Sequence, residues 1–410
     1  MTLRQVYQRP AAELIGCADC GLVQILPPVP SDSVAECGCC RREFEPPGRG
    51  SLDLSLAVAL AGLLLLAPAC LLPLMRLSSF GVQRRDWLPT GVQALWSQGF
   101  TALSVLVFVF SIAIPFIYLA LMTWVLAGVR LGSSAPLGRL FRWTTLLRVW
   151  VMIEVYVVGC CVAYTRLESV GTVVVGPGAW CLLAATIATV LAGLMLDQQS
   201  VWDALPPRRG LRQPEHPISC GTCELLVDAA REHGRCPRCQ ATLYRRKPDS
   251  LRRTLALLVT GFVLYVPANL LPVLSIERFG RNQPSTILGG VHELILAGLW
   301  PLAIVVFTAS IVVPLLKLGG LSVLLTMTRL KSRRWLLGRT QLYRFIDRIG
   351  RWSNIDIFMI SVLVALVQFG PLTSVRAQPG AIAFAAVVVI TMIASRCFDT
   401  RLMWDAAADA

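Results

Sequence analysis

Long apolar stretches broken by short polar ones set the character of this chain. Eight runs approach or exceed the roughly 20 helical residues needed to cross a bilayer core. They lie at about 52–75, 100–127, 149–166, 180–196, 254–274, 299–326, 354–370 and 381–396. The third and seventh are the weakest, because they carry Glu154 and Asp356. The pattern predicts an all-α polytopic membrane protein with eight transmembrane helices. The first twenty residues do not read as a signal peptide, since no apolar core follows the first arginine.

The pattern repeats itself. "APACLLPLM" at 67–75 returns as "VPANLLPVL" at 266–274, and "SIAIPFIYLA" at 111–120 returns as "SIVVPLLKLG" at 310–319. "VWVMIEVYVV" at 149–158 matches "RWSNIDIFMI" at 351–360, and "LDQQSVWDA" at 196–204 matches "FDTRLMWDA" at 398–406. The offset is 199 residues early and 202 late. Four spans per repeat return the chain to its starting side, so the halves run parallel rather than inverted.

Each repeat opens with cysteines. "CADC" at 17–20 pairs with "CGCC" at 37–40, and "CGTC" at 220–223 pairs with "CPRC" at 236–239. Two C-x-x-C knuckles turn four thiolates toward one ion, the arrangement of a zinc ribbon. We expect one structural zinc on Cys17, Cys20, Cys37 and Cys40, and a second on Cys220, Cys223, Cys236 and Cys239. Cys39 crowds the first site, but spacing favours Cys37 and Cys40. Iron or a redox role is the competing use of such a set. His233 reads as a surface residue, and the remaining cysteines as packing residues. The division expected is 1–50 for the first ribbon, 51–205 for a four-helix unit, 206–250 for the second ribbon and 251–410 for the second four-helix unit.

Composition agrees: 55% of residues are hydrophobic, 15% are charged, and the mean hydropathy is +0.64. The net charge of +14 would suit nucleic acid, but its distribution argues otherwise. Thirty of the 38 lysines and arginines fall on the side of the N-terminus, seven on the other, and Lys317 stands inside a span. By the positive-inside rule both termini and both ribbons are expected to be cytoplasmic. No phosphate-binding loop, G-x-S-x-G or H-E-x-x-H motif is present, so ATPase and hydrolase readings have no support.

Tandem cysteine modules, each with four spans, the P-A-x-L-L-P element and the repeated W-D ending together resemble the paraquat-inducible protein A family, from Cys17 to Asp405. The resemblance implies an inner-membrane, non-enzymatic subunit of a lipid transport system. Its implied partner is a periplasmic MCE-domain tunnel protein, and its implied cargo phospholipid. It also implies that the second membrane half carries a polar network. The readings set against it are a zinc- or redox-responsive regulatory membrane protein and an autonomous proton-coupled exporter of amphiphiles.

Lys317 is the residue that most needs explaining. A charge at the bilayer centre costs roughly 3 kcal/mol on insertion scales. Lys317 aligns with Tyr118, so the first half lacks this lysine, whereas Asp356 aligns with Glu154. We expect Lys317 and Asp356 to pair, with Ser310 two turns back on the same face and the hydroxyls of Thr391 and Ser395 on the last span completing the cluster. Such a cluster is either a packing device or a proton-responsive transport network. Glu154 reads as structural. Pro68, Pro73, Pro267 and Pro272 are expected to break spans one and five near their ends. The segments 84–99 and 282–298 read as amphipathic outer pieces.

Overall fold

A computed structural model describes residues 13–26, 35–44, 51–79, 81–133, 136–168, 171–206, 217–278, 281–369 and 373–408. Two hairpins open the chain: β1 (Glu13–Gly16) with β2 (Val23–Leu26), and β3 (Ala35–Glu36) with β4 (Glu43–Phe44). The first membrane unit follows, with α1 (Leu52–Leu71), β5 (Met75–Ser79), β6 (Val82–Asp86), α2 (Leu88–Ser97), α3 (Thr101–Phe108), α4 (Ile114–Arg130), α5 (Leu137–Leu147), α6 (Ile153–Leu167), β7 (Thr172–Val175), α7 (Pro177–Met195) and α8 (Gln198–Ala204). A third hairpin, β8 (Pro217–Ser219) with β9 (Leu226–Asp228), leads into the second unit. That unit repeats the order with α9 (Ser250–Leu270), β10 (Leu274–Arg278), β11 (Arg281–Ser285), α10 (Ile287–Leu296), α11 (Trp300–Phe307), α12 (Val313–Arg329), α13 (Leu336–Ile349), α14 (Ile355–Leu366), β12 (Thr373–Ala377), α15 (Pro379–Cys397) and α16 (Arg401–Ala408).

Eight helical spans among these are long and apolar enough to cross a membrane. The helical expectation therefore holds, and small sheets are added to it. Away from the ribbons, each unit carries a three-stranded antiparallel sheet, ordered β6-β5-β7 and β11-β10-β12. The segments expected to be amphipathic outer pieces each begin as a strand of these sheets and then become α2 and α10.

The P-A-x-L-L-P element explains how sheet and helix meet. Pro68 and Pro267 stand one turn from the ends of α1 and α9, and the chain becomes extended at Leu72 and Leu271. The carbonyls of Pro73 and Pro272 then accept from the amides of Gly178 and Gly380, each at 3.0 Å. At both glycines a Cβ would collide with backbone oxygens of the proline turn. Backbone polar groups in an apolar layer must be satisfied within the protein, and glycine permits the approach that does so.

A second proline pair acts in the spans themselves. Pro115 and Pro314 follow one-turn π segments, Val109–Ala113 and Thr308–Val312, that join α3 to α4 and α11 to α12. Proline removes a donor and crowds the preceding turn, and widening to π geometry accommodates it.

The halves meet through α6 and α14. Tyr156 packs edge-on to Phe358 at 5.3 Å, and Gly159 lets the α14 backbone approach at Met359. From the first unit α2 also reaches α14, with Gly91 against the Ser361 carbonyl. Every residue of α14 except Ala365 is buried, whereas most of α1 faces outward. Thus α14 is the central helix of the molecule.

Asp86, at the end of β6, is 1% exposed. It accepts from the Thr90 hydroxyl, and its Oδ2 has no hydrogen-bond partner among the described residues. Burial pushes its carboxyl up to about 7, against the opposing pull of the Thr90 bond. The folded value lies above that of the unfolded chain, so the penalty for the charged form is absent at low pH. It grows as pH rises from about 4 to about 7 and then levels off. Asp86→Asn should therefore gain stability over wild type through that window, by on the order of 3 kcal/mol at its upper end. Thermal melts of both proteins from pH 4 to pH 8 test this, and a difference independent of pH would refute it.

Candidate metal centres and intramembrane polar site

The four C-x-x-C knuckles are built alike. In each, the amide of the residue after the second cysteine donates to the carbonyl of the first: Gly21 to Cys17 at 2.9 Å, Arg41 to Cys37 at 3.0 Å, Glu224 to Cys220 at 3.1 Å and Gln240 to Cys236 at 2.9 Å. That residue is left-handed in all four, with φ of 80°, 53°, 56° and 59°. For the three non-glycines this conformation costs roughly 1 kcal/mol each, and it aims both thiols of the knuckle at one point.

Two closed sets result. Cys17, Cys20, Cys37 and Cys40 are buried with all Sγ atoms within 4.8 Å of one another, and so are Cys220, Cys223, Cys236 and Cys239. Between knuckles, Sγ–Sγ separations are 3.4 Å (Cys17–Cys40) and 3.5 Å (Cys20–Cys37) in the first set and 3.6 Å (Cys220–Cys239 and Cys223–Cys236) in the second. Tetrahedral thiolate sites with metal–sulfur bonds near 2.3 Å require about 3.8 Å. No disulfide joins these cysteines. Four buried thiols at this spacing fit a metal ion. Cys39 is half-buried outside the set, and His233 is exposed, edge-on to Tyr244.

Within the spans, the polar residues of the second half divide into two stations. Lys317 is fully buried on α12. Its Nζ donates to the Gly350 carbonyl at 2.8 Å and to Thr391 Oγ1 at 3.3 Å. An ammonium has three donors, so this one is short of acceptors. Asp356 lies in the first turn of α14, where the helix dipole favours a carboxylate. It accepts from the Ser310 hydroxyl, which the π segment presents, and its Oδ1 has no hydrogen-bond partner among the described residues.

The expected pairing of Lys317 with Asp356 needs correcting: among the described residues no ion pair joins them. Ser310 and Lys317 are seven residues apart, roughly 10 Å along a helix. Each charge therefore has its own surroundings. Thr391 does join Lys317, as expected, and Ser310 joins Asp356. Ser395 does not take part; its hydroxyl bonds the Met392 carbonyl.

Two residues of this site are not evident from local sequence. Gly350 supplies the carbonyl for Lys317, and an added Cβ there would meet Lys317 Cε at 3.1 Å. Arg166, from α6 of the first unit, donates to the Gly290 carbonyl at 3.1 Å and lines a small cavity together with Asp356, Ser285 and Thr286. The cavity, about 20 Å³, has room for one water molecule.

The first half is not without a cation at the level of Lys317. Allowing for the offset, Gly350 corresponds to Arg148 and Lys317 to Tyr118. Arg148 donates to the Gly193 carbonyl at 3.2 Å, and Arg148 and Tyr118 flank Gly193. Cation and neutral partner have exchanged helices between the halves. The repeat alignment could have shown this, since the arginine and the lysine stand at opposite members of the two aligned pairs. The second-half cation is fully buried, whereas Arg148 is only partly so.

Comparison with known proteins places these features in a family. The profile described as "Paraquat-inducible protein A" matches residues 52–206 and 251–408, the two membrane units in turn. The chain is 33% identical over 407 residues to "Intermembrane transport protein PqiA" of Escherichia coli, covering 96% of both sequences. It is 30% identical over 408 residues to "Lipophilic envelope-spanning tunnel protein A" of the same species, covering 99% of this chain and 95% of the relative. No solved structure matches it at a significant level. With one profile matched in both halves and two relatives aligned over nearly the full length, the chain belongs to the paraquat-inducible protein A family.

Proposed function

We propose that this protein is a membrane-embedded, non-enzymatic subunit of an intermembrane lipid transport system. It sits in the bacterial inner membrane with both termini and both ribbons cytoplasmic. It loads or unloads phospholipids at a periplasmic MCE-domain tunnel protein. The observation that carries this reading is the pair of buried polar stations in the second unit, Lys317 with Thr391 and Asp356 with Ser310, the latter beside Arg166 of the first unit, in a chain whose relatives are named for intermembrane transport. Intramembrane ionisable groups are costly and mark ion or substrate pathways. Proton exchange at the two stations, with Thr391 and Ser310 as hydroxyl partners, would couple the second unit to lipid movement. The first unit, with Arg148 and Glu154, serves as the more static frame.

Purification of the chain in mild detergent, with mass spectrometry of co-purifying molecules and capture of the tunnel protein, tests the reading. Bound phospholipid and a stable complex are expected, and absence of both would overturn it.

The transport role of Lys317 is open to a direct test, because its partners are a carbonyl and a hydroxyl. Lys317→Met strands no counter-charge, so the variant should insert and melt no lower than wild type. It should fail to restore the envelope barrier in cells lacking the protein, and so should Lys317→Met with Asp356→Leu. Glu154→Gln should be milder. Full restoration by well-inserted Lys317→Met would reduce the lysine to a packing device.

The metal centres are proposed to hold structural zinc, which stabilises the folded ribbons. Elemental analysis of freshly purified protein should find two zinc ions per chain. Cys236→Ser should lose one and accumulate to lower levels. Iron in their place would contradict the assignment.

Topology follows from the basic asymmetry of the sequence. A reporter fused near residue 230 should be active only in its cytoplasmic form. Activity from the periplasmic form alone would invert the arrangement.

A further inference from the structure

The cysteine knuckles of each ribbon are gripped by the opposite membrane unit, while the chain leaving the second ribbon also ties to its own unit, through Arg246 to Asp405 at 2.7 Å and the Lys247 amide to Asp399 at 2.9 Å. The first ribbon is held by the second unit. Arg344 of α13 donates to Asp19 at 2.8 Å, and to the carbonyl and Sγ of Cys40 at 3.3 and 3.6 Å. Arg401 of α16 donates to the Ala18 carbonyl at 3.1 Å, and Trp404 packs on the cluster formed by Ile15, Phe44 and the cysteines. The second ribbon is held by the first unit. Arg142 of α5 donates to the Gln240 carbonyl at 2.8 Å, next to Cys239. Asp203 of α8 faces Arg238 at 3.7 Å, and α5 passes the Arg238 carbonyl so closely at Gly138 that no side chain fits. Arg142 and Arg344 occupy the same position of the repeat, 202 residues apart. One arginine per unit thus grips the second knuckle of the opposite ribbon. Between the ribbons, Arg42 pairs with Glu224 at 3.1 Å.

The grip on the first ribbon leads into the membrane site. Helix α13 runs on from Arg344 to Ile349, and the next residue, Gly350, supplies the carbonyl that holds Lys317. Six residues of helix span roughly 9 Å, so the Cys40 knuckle and the Lys317 anchor sit at two ends of one rigid rod.

We propose that the ribbons are exchanged struts. Metal in the first ribbon fixes α13, and with it the Gly350 carbonyl under Lys317; metal in the second ribbon fixes α5 of the first unit. Arg344 and Arg142 are the positioning residues that transmit this. Loss of metal releases the left-handed knuckle that presents the Cys40 carbonyl to Arg344. The inference rests on the metal reading above and is independent of the cargo.

Hydrogen exchange on the full-length protein in nanodiscs of phosphatidylethanolamine and phosphatidylglycerol tests it, with zinc counted first. Cys37→Ser, which empties the first ribbon, should speed exchange over 336–354 at least about tenfold, the scale of one lost charge-assisted hydrogen bond. It should leave 137–152 unchanged. Cys236→Ser should do the reverse. Should either variant fail to accumulate, Arg344→Ala and Arg142→Ala replace them. Each should speed release to a chelator of one zinc out of two by about tenfold, and Arg344→Lys should restore part of the loss. Two zinc ions with each ribbon loosening only its own unit, or with release unchanged, would overturn the coupling alone. Protein that never holds metal would overturn the metal reading and the coupling together.

Discussion

A polar atom placed in the hydrocarbon layer must find its partner inside the protein, because no water waits there as a substitute. Much of this structure is an answer to that requirement. The extended turns after α1 and α9 expose the carbonyls of Pro73 and Pro272, and glycines at the starts of α7 and α15 approach closely enough to donate to them. The prolines beginning α4 and α12 are absorbed by π turns. Those turns in turn present a serine to the interior, and in the second unit that serine meets Asp356. Local backbone repair and the polar site are thus one piece of construction.

The same requirement explains why α14 lies at the centre. A helix carrying a carboxylate in its first turn and a serine at Ser361 is poorly suited to lipid. Buried against α6, α2 and α3, it faces protein on all sides. Its carboxylate stands at a helix N-terminus, beside a serine hydroxyl and across a small cavity from an arginine of the other half. Lys317 is treated differently, on a carbonyl and a hydroxyl. Two separate stations, rather than one neutralising pair, leave both groups short of full compensation, the condition under which a buried charge is able to respond to its surroundings.

On the ribbon side, the halves are bound by exchange. The first ribbon, held by the second unit, links segments some 300 residues apart, as Arg344 and Cys40 are, and the second is joined to the first unit between Arg142 and Gln240, 98 residues apart. Two modules of about 30 residues, each too small for a large hydrophobic core of its own, thereby become structural parts of the whole molecule.

The spans, the repeat, the two four-cysteine sets and Lys317 as an anomaly were legible in the chain, because each depends on local spacing or composition: runs of apolar residues, two thiols three apart, one charge among leucines. The three-stranded sheets were not, since β7 and β12 pair with β5 and β10, which lie about a hundred residues earlier, just past the apolar runs of spans one and five. The partners of Lys317 and Asp356 were not legible either. Complementary charge suggested that the two would meet, but the π turn and the helix register set Ser310 and Lys317 roughly 10 Å apart. Gly350, a residue with no side chain, became an anchor through its carbonyl, and Arg166 arrived from the other half. Sequence alone determined which residues must be buried and which four thiols share a point, because those follow from transfer free energy and spacing. Only the tertiary structure decided which polar atoms satisfy one another and which ribbon lies under which unit, because those depend on distances between segments that no local pattern encodes.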